Sequence, residues 1–136
     1  MTDTALRIAI LGGGVMGETL AAGFLARLHP TPTVTVAEKR PERAVELADR
    51  LGVRVAPMAD AVSDADVVVL AVKPQDFRAM LAELAPSLRA GALVISIAAG
   101  IPTALMEEML PGAAVVRVMP NTPARINRGV AGVSAG

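Results

Sequence analysis

The sequence predicts an α/β fold, a doubly wound, mainly parallel sheet with helices on both faces. Three observations carry that expectation. Short β-branched apolar runs alternate with longer stretches of helical period, the pattern of βαβ units. Val67 to Val72 is six apolar residues in succession, which suits a strand covered on both faces near the centre of a parallel sheet. A glycine pattern also stands between the first expected strand and the first expected helix.

In chain order, Ala5 to Leu11 reads as a strand. Met16, Leu20 and Phe24 then recur at helical spacing, with Ala21, Leu25 and Leu28 widening the same face, and His29 to Pro32 ends the helix. Thr33 to Ala37 is a second strand. Pro41 follows where a helix's first turn tolerates a missing N–H, and Ala44, Leu47, Ala48 and Leu51 form a buried stripe. Arg43, Glu46, Asp49 and Arg50 fall on the other face and read as solvated surface, with Glu46 and Arg50 spaced for a weak ion pair. Gly52 occupies the position where a helix commonly ends in a left-handed residue. Val53 to Ala56 reads as a short third strand. After the central run, Phe77, Met80, Leu81 and Leu84 mark a helix and Leu93 to Ile97 another buried strand. Leu105, Met106 and Met109 mark a short helix opened by Pro102, and Ala114 to Val118 supplies a last strand.

Residues 1–136 are expected to form one domain, since single cores usually take roughly 100 to 200 residues. Val130 to Gly136 is apolar and glycine-rich without a polar tail, so the sequence is expected to stop inside a structure, truncated near 130–136. Thirteen basic and thirteen acidic residues cancel, no cationic run appears, and with two Phe and no Tyr or Trp there is no stacking platform. Nucleic acid is therefore not an expected partner. No apolar run reaches the 18 to 20 or so residues of a membrane span, so no membrane is expected either. The absence of Cys fits a reducing cytoplasm. His29 is the single histidine and, with no second imidazole, is read as a surface loop residue; no metal site is expected.

Gly12, Gly14 and Gly17 make a Gly-x-Gly-x-x-Gly spacing, directly after a strand and at the mouth of a helix. In a Rossmann-like dinucleotide site the first glycine permits the tight turn, the second lets a pyrophosphate approach backbone, and the third lets helix pack on strand. Free N–H groups at the helix start then face the phosphates. Glu38 ends the second strand 21 residues beyond Gly17, near the distance at which an acid meets the adenine ribose, which favours NADH. Lys39 and Arg40 follow at once and would suit a 2'-phosphate. The two signals oppose each other and leave the choice between NADP and NAD open.

Ala71, Val72, Lys73 and Pro74 lie where the central strand emerges on the ligand side of the sheet. Ser96 to Gly100 leaves the next strand as small residues, Ala98 and Ala99 among them, against which a flat ring could lie. Met119, Pro120, Asn121, Thr122 and Pro123 follow the last strand on the same side, and two prolines limit this loop's freedom.

Together Ile10 to Gly17, Ala71 to Pro74, Ser96 to Gly100 and Val118 to Ala124 resemble the pyrroline-5-carboxylate reductases in residue, order and spacing along the whole chain. The last of these motifs is the most specific, because generic Rossmann domains lack it. The resemblance implies reduction of 1-pyrroline-5-carboxylate to L-proline, the final step of proline biosynthesis, by an oxidoreductase using NADP or NAD. It implies that the cofactor is bordered by Gly12, Gly13, Gly14, Val15, Met16 and Gly17, by Glu38, Lys39 and Arg40, by Ala71 to Pro74, and by Met119, Pro120, Asn121 and Thr122. Glu38 departs from the small or polar residue frequent there in the family, which weakens an assignment to NADPH. Members of the family continue into a helical domain that forms the dimer and seats the substrate, which this chain lacks. The full-length protein is thus expected to be a homo-oligomer, and no catalytic acid is assigned. Two rival readings share the glycine loop: a hydroxyacid dehydrogenase-like oxidoreductase, not expected to share the Met119 to Thr122 loop, and a non-catalytic dinucleotide-binding module.

Overall fold

The computed structural model describes residues 5–12, 14–28, 30–72, 75, 77–97, 102–119 and 132–135, with backbone only at 119 and 132–135. Among them the elements are β1 (Arg7–Leu11), α1 (Val15–Arg27), β2 (Thr33–Ala37), α2 (Pro41–Leu51), β3 (Arg54–Val55), α3 (Met58–Ser63), β4 (Val67–Leu70), α4 (Phe77–Leu84), β5 (Leu93–Ser96), α5 (Thr103–Met109), β6 (Ala114–Met119) and β7 (Gly132–Ala135). They form one sheet in the order β3-β2-β1-β4-β5-β6-β7. The first six strands are parallel and β7 adds antiparallel to β6. The expected doubly wound sheet is therefore present, with the Val-rich β4 at its middle.

Period-2 alternation along the strands divides the core between the two faces. On one face Ala9, Leu11, Val68, Leu70 and Val94 meet Val62 of α3, Phe77, Leu81 and Leu84 of α4 and Met106 of α5. On the other, Ile8, Ile10, Val34, Val36 and Val69 meet Leu20 and Ala21 of α1 and Leu47 of α2. The register explains the alternation: Ile10 stands beside Val36 on one side and Val69 on the other. Helix ends follow their local chemistry. Pro41 opens α2, and Gly52 closes it at φ 69°, its N–H donating to the Ala48 carbonyl.

Several expectations need correction. The third strand keeps only Arg54–Val55, and the central run is extended only through Leu70. Leu93 to Ile97 reads in the sequence as a buried strand, yet Leu93, Ile95 and Ile97 are half-buried. They lie at the margin of the α1–α2 core, beyond the strands that those helices cover. The solvated face assigned to α2 is also wrong at Arg43, whose side chain is 15% exposed and reaches Glu18 on α1. Glu46 and Arg50 do pair, at 3.2 Å. Neither α3 nor β7 follows from the apolar pattern: α3 has fewer than two turns in which a period could show, and β7 lies in the segment read only as an apolar end. His29 lies outside the described residues. Among the described residues no helix is long and apolar enough to cross a membrane.

Candidate functional site

The carboxyl ends of three adjacent strands are tied together where the order of connection reverses. Leaving β1 the chain passes to α1 on one face, and leaving β4 it passes to α4 on the other. At such a switch point open α/β sheets bind ligands in the crevice between the diverging connections. Its floor is backbone. Gly12 N–H donates to the Ala37 carbonyl at the end of β2 (3.0 Å), and Ala71 N–H donates to the Leu11 carbonyl (2.8 Å). Ala71 packs against the core of the α1–α2 face and Val72 against the other.

The three spaced glycines have separable reasons. Gly12 has φ 105°, and a Cβ there would stand 2.7 Å from the Ala71 carbonyl oxygen. A Cβ at Gly17 would stand 2.1 Å from the Gly12 carbonyl oxygen, so only glycine lets α1 sit this close to the turn it follows. Gly14 differs. A Cβ there would meet nothing within 4 Å, and its φ of −73° and ψ of −168° are open to any residue. Nothing in the fold demands glycine at Gly14, whereas a phosphate laid against this backbone would. The cradle therefore fits the pyrophosphate of a dinucleotide.

Gly14 is the N-cap of α1 and offers no side-chain cap to the first-turn amides, which leaves helix N–H groups to face an anion. Glu18 in that first turn would work against an anion, but it is neutralised by α2. Arg43 donates to it at 2.7 Å and Arg50 reaches its other oxygen. These contacts, Arg43 first, hold the Glu18 carboxyl below its ordinary range. The sequence alone gives Glu18 no place in this site. Its link to Arg43 is tertiary, and no spacing within one helix reveals it.

At the end of β2, Glu38 and Arg40 are joined. The Glu38 carboxylate accepts from Arg40 N–H at 2.8 Å, from Nε at 3.0 Å and from Nη2 at 3.2 Å. Lys39 between them is exposed. Val15 is 82% exposed at the start of α1, while Met16 is half-buried against the α1–α2 core. Met119 ends β6, beyond the point where β6 pairs with β5. The structure thus brings Gly12, Gly14, Ala71 and Val72 to one crevice and sets Glu38 to Arg40 at the end of the neighbouring strand. Gly13, Lys73, Pro74, Ala98, Ala99, Pro120, Asn121 and Thr122 lie outside the described residues.

The chain is similar to the pyrroline-5-carboxylate reductase of Pseudomonas aeruginosa, 42% identical over 131 residues, covering 95% of this chain and 48% of the relative. The reductase of Mycobacterium tuberculosis is 41% identical over 137 residues, with 96% of this chain and 46% of the relative covered. The chain therefore spans about half the length of the curated relatives it matches. Among solved structures, a pyrroline-5-carboxylate reductase from Coxiella burnetii superposes with a TM-score of 0.88 at 32% identity, over 98% of this chain and 50% of that one. The Plasmodium falciparum pyrroline carboxylate reductase with NADP bound superposes at 0.76 over 96% of this chain and 48% of that one; at 23% identity it supports the fold alone. With a crevice at the switch point, a glycine loop shaped for phosphate and a family profile matched over residues 7–100, the chain belongs to the NADP oxidoreductase, coenzyme F420-dependent, family.

Proposed function

We propose that this chain, residues 1–136 as one domain, is the cofactor-binding half of a reductase that converts 1-pyrroline-5-carboxylate to L-proline. The observation that carries the reading is likeness to reductases of that name along 95% of the chain, far beyond the glycine loop that generic Rossmann domains share. Gly12, Gly13, Gly14 and Gly17, with Val15 and Met16, would hold the pyrophosphate. The loop of Glu38, Lys39 and Arg40 would border the adenosine half, and Ala71, Val72, Lys73, Pro74, Ala98, Ala99, Met119, Pro120, Asn121 and Thr122 would border the nicotinamide half.

When bound, the dihydronicotinamide supplies the hydride that adds to the imine carbon of the substrate. The chain's own contribution is position: a backbone cradle at Gly14, helix N–H groups towards the phosphates, and a rigid floor between Leu11 and Ala71. Fixing reacting groups in this way accounts for orders of magnitude in rate. None of the described residues is assigned as proton donor. The full-length protein is read as a cytoplasmic homo-oligomer whose other half seats the substrate.

Calorimetric titration of the chain with NADPH tests the cofactor part of this reading. Saturable one-to-one binding, lost in Gly14→Val, supports it; absence of binding by the folded chain overturns it.

A further inference from the structure

We infer that Glu38 is a positioning residue for Arg40 and not a ligand of the ribose, so that the loop after β2 selects the 2'-phosphorylated dinucleotide, NADPH, over NADH. The inference rests on the dinucleotide reading above. It turns on which charge the loop presents. An acid at the end of the second strand ordinarily accepts from the ribose hydroxyls and so disfavours a 2'-phosphate. Here the Glu38 carboxylate is turned onto its own loop, with both oxygens engaged by Arg40. Its side chain is 7% exposed and that of Arg40 is 60% exposed.

The pair has the fork geometry in which a guanidinium is held most rigidly, and the backbone N–H of Arg40 adds a third tie. Two of the guanidinium's five N–H donors point to Glu38. The Arg40 side chain as a whole stays 60% exposed, and Lys39, its neighbour in the chain, is exposed too. An incoming 2'-phosphate thus meets a pre-oriented guanidinium and a lysine ahead of a covered carboxylate. A bare 2'-hydroxyl meets a carboxylate already occupied. The short-range opposition of charges that leaves cofactor choice open in the sequence becomes one unit of defined polarity.

The test is a double-mutant cycle on Glu38→Gln and Arg40→Ala in the full chain, titrated with NADPH, NADH, 2',5'-ADP and 5'-ADP, with thermal melts confirming the fold. Arg40→Ala is expected to weaken NADPH and 2',5'-ADP about tenfold, the scale of one charge-assisted hydrogen bond, and to leave NADH and 5'-ADP unchanged or tighter. Glu38→Gln is expected to weaken NADPH at least threefold while Arg40 is present and to have no weakening effect once Arg40 is alanine. Tighter NADPH binding by Glu38→Gln would show that the carboxylate repels the phosphate and would overturn the inference. An effect independent of Arg40 would overturn it too. Tight binding of both dinucleotides with an unmoved NADPH/NADH ratio in every variant sinks the inference and leaves the dinucleotide reading standing, whereas binding of neither by the folded wild type sinks both.

Discussion

Substituting the three loop glycines one at a time should separate what the fold needs from what the cofactor needs. In Gly17→Ala the new Cβ lies 2.1 Å from the Gly12 carbonyl oxygen, a backbone atom that cannot swing away. Overpacking of this kind costs about 3 kcal/mol, a large share of an ordinary domain's stability. For a chain of this size that is a fall of about 10 °C in Tm. Gly12→Ala meets the Ala71 carbonyl at 2.7 Å and adds the strain of φ 105°, a further cost of roughly 1–3 kcal/mol. Gly14→Ala has open space and an ordinary extended backbone, so it should hold or raise stability, by about 0.4–1 kcal/mol, through the unfolded chain's lost freedom. Gly14→Val should likewise melt near the wild type. Yet its branched side chain occupies the space in which the pyrophosphate would lie, and NADPH affinity should fall at least a hundredfold. Scanning calorimetry and NADPH titration on these four variants and the wild type decide the matter. A Gly14→Val chain that melts like the wild type and still binds NADPH as tightly would refute the assignment of the cradle.

Asp66 accepts the Arg7 N–H at 2.9 Å and pairs with Arg89; these contacts, the Arg7 N–H first, hold its carboxyl below the ordinary range. A carboxyl whose folded pKa is depressed contributes stability that is present above its unfolded value and lost as pH falls through the folded one. Asp66→Asn should therefore lower stability at neutral pH by on the order of 1 kcal/mol and flatten the decline in Tm on acidification; parallel acid profiles would contradict this. Arg43→Met should lower Tm and also weaken NADPH binding severalfold, because the Glu18 charge beside the phosphate cradle is then offset by Arg50 alone, and Glu18→Gln in that background should restore the affinity. Titration of the single and double variants checks it, and an unchanged affinity in Arg43→Met would sink it.

The parts of the fold that were legible in the sequence are those with a repeating period. Val67 to Leu70, Thr33 to Ala37 and the α2 stripe ending in Leu47 and Leu51 each repeat an apolar signal, and the glycine spacing falls, as read, between the first strand and the first helix. The six-residue α3 and four-residue β7 are too short to repeat anything. The half-exposure of Ile95 depends on how far α1 and α2 extend across the sheet, a tertiary quantity absent from β5's own residues. Arg43 was misread for a similar reason: its helical position points away from the apolar stripe, but α1 supplies Glu18 there. At Glu38 and Arg40 the sequence showed two opposed charges at the right place. Whether they compete for a ligand or bind each other depends on side-chain rotamers, which spacing does not encode.

The central proposal is that this chain is the cofactor-binding half of a pyrroline-5-carboxylate reductase, and a chimera tests it most directly. The chain would replace the corresponding half of the Pseudomonas aeruginosa reductase, which it matches over 131 residues, and L-proline would be measured with NADPH and 1-pyrroline-5-carboxylate supplied. The account predicts proline formation dependent on both, abolished by Gly14→Val, with only a trace from the chain alone. A folded chimera that binds NADPH and yields no proline would contradict it.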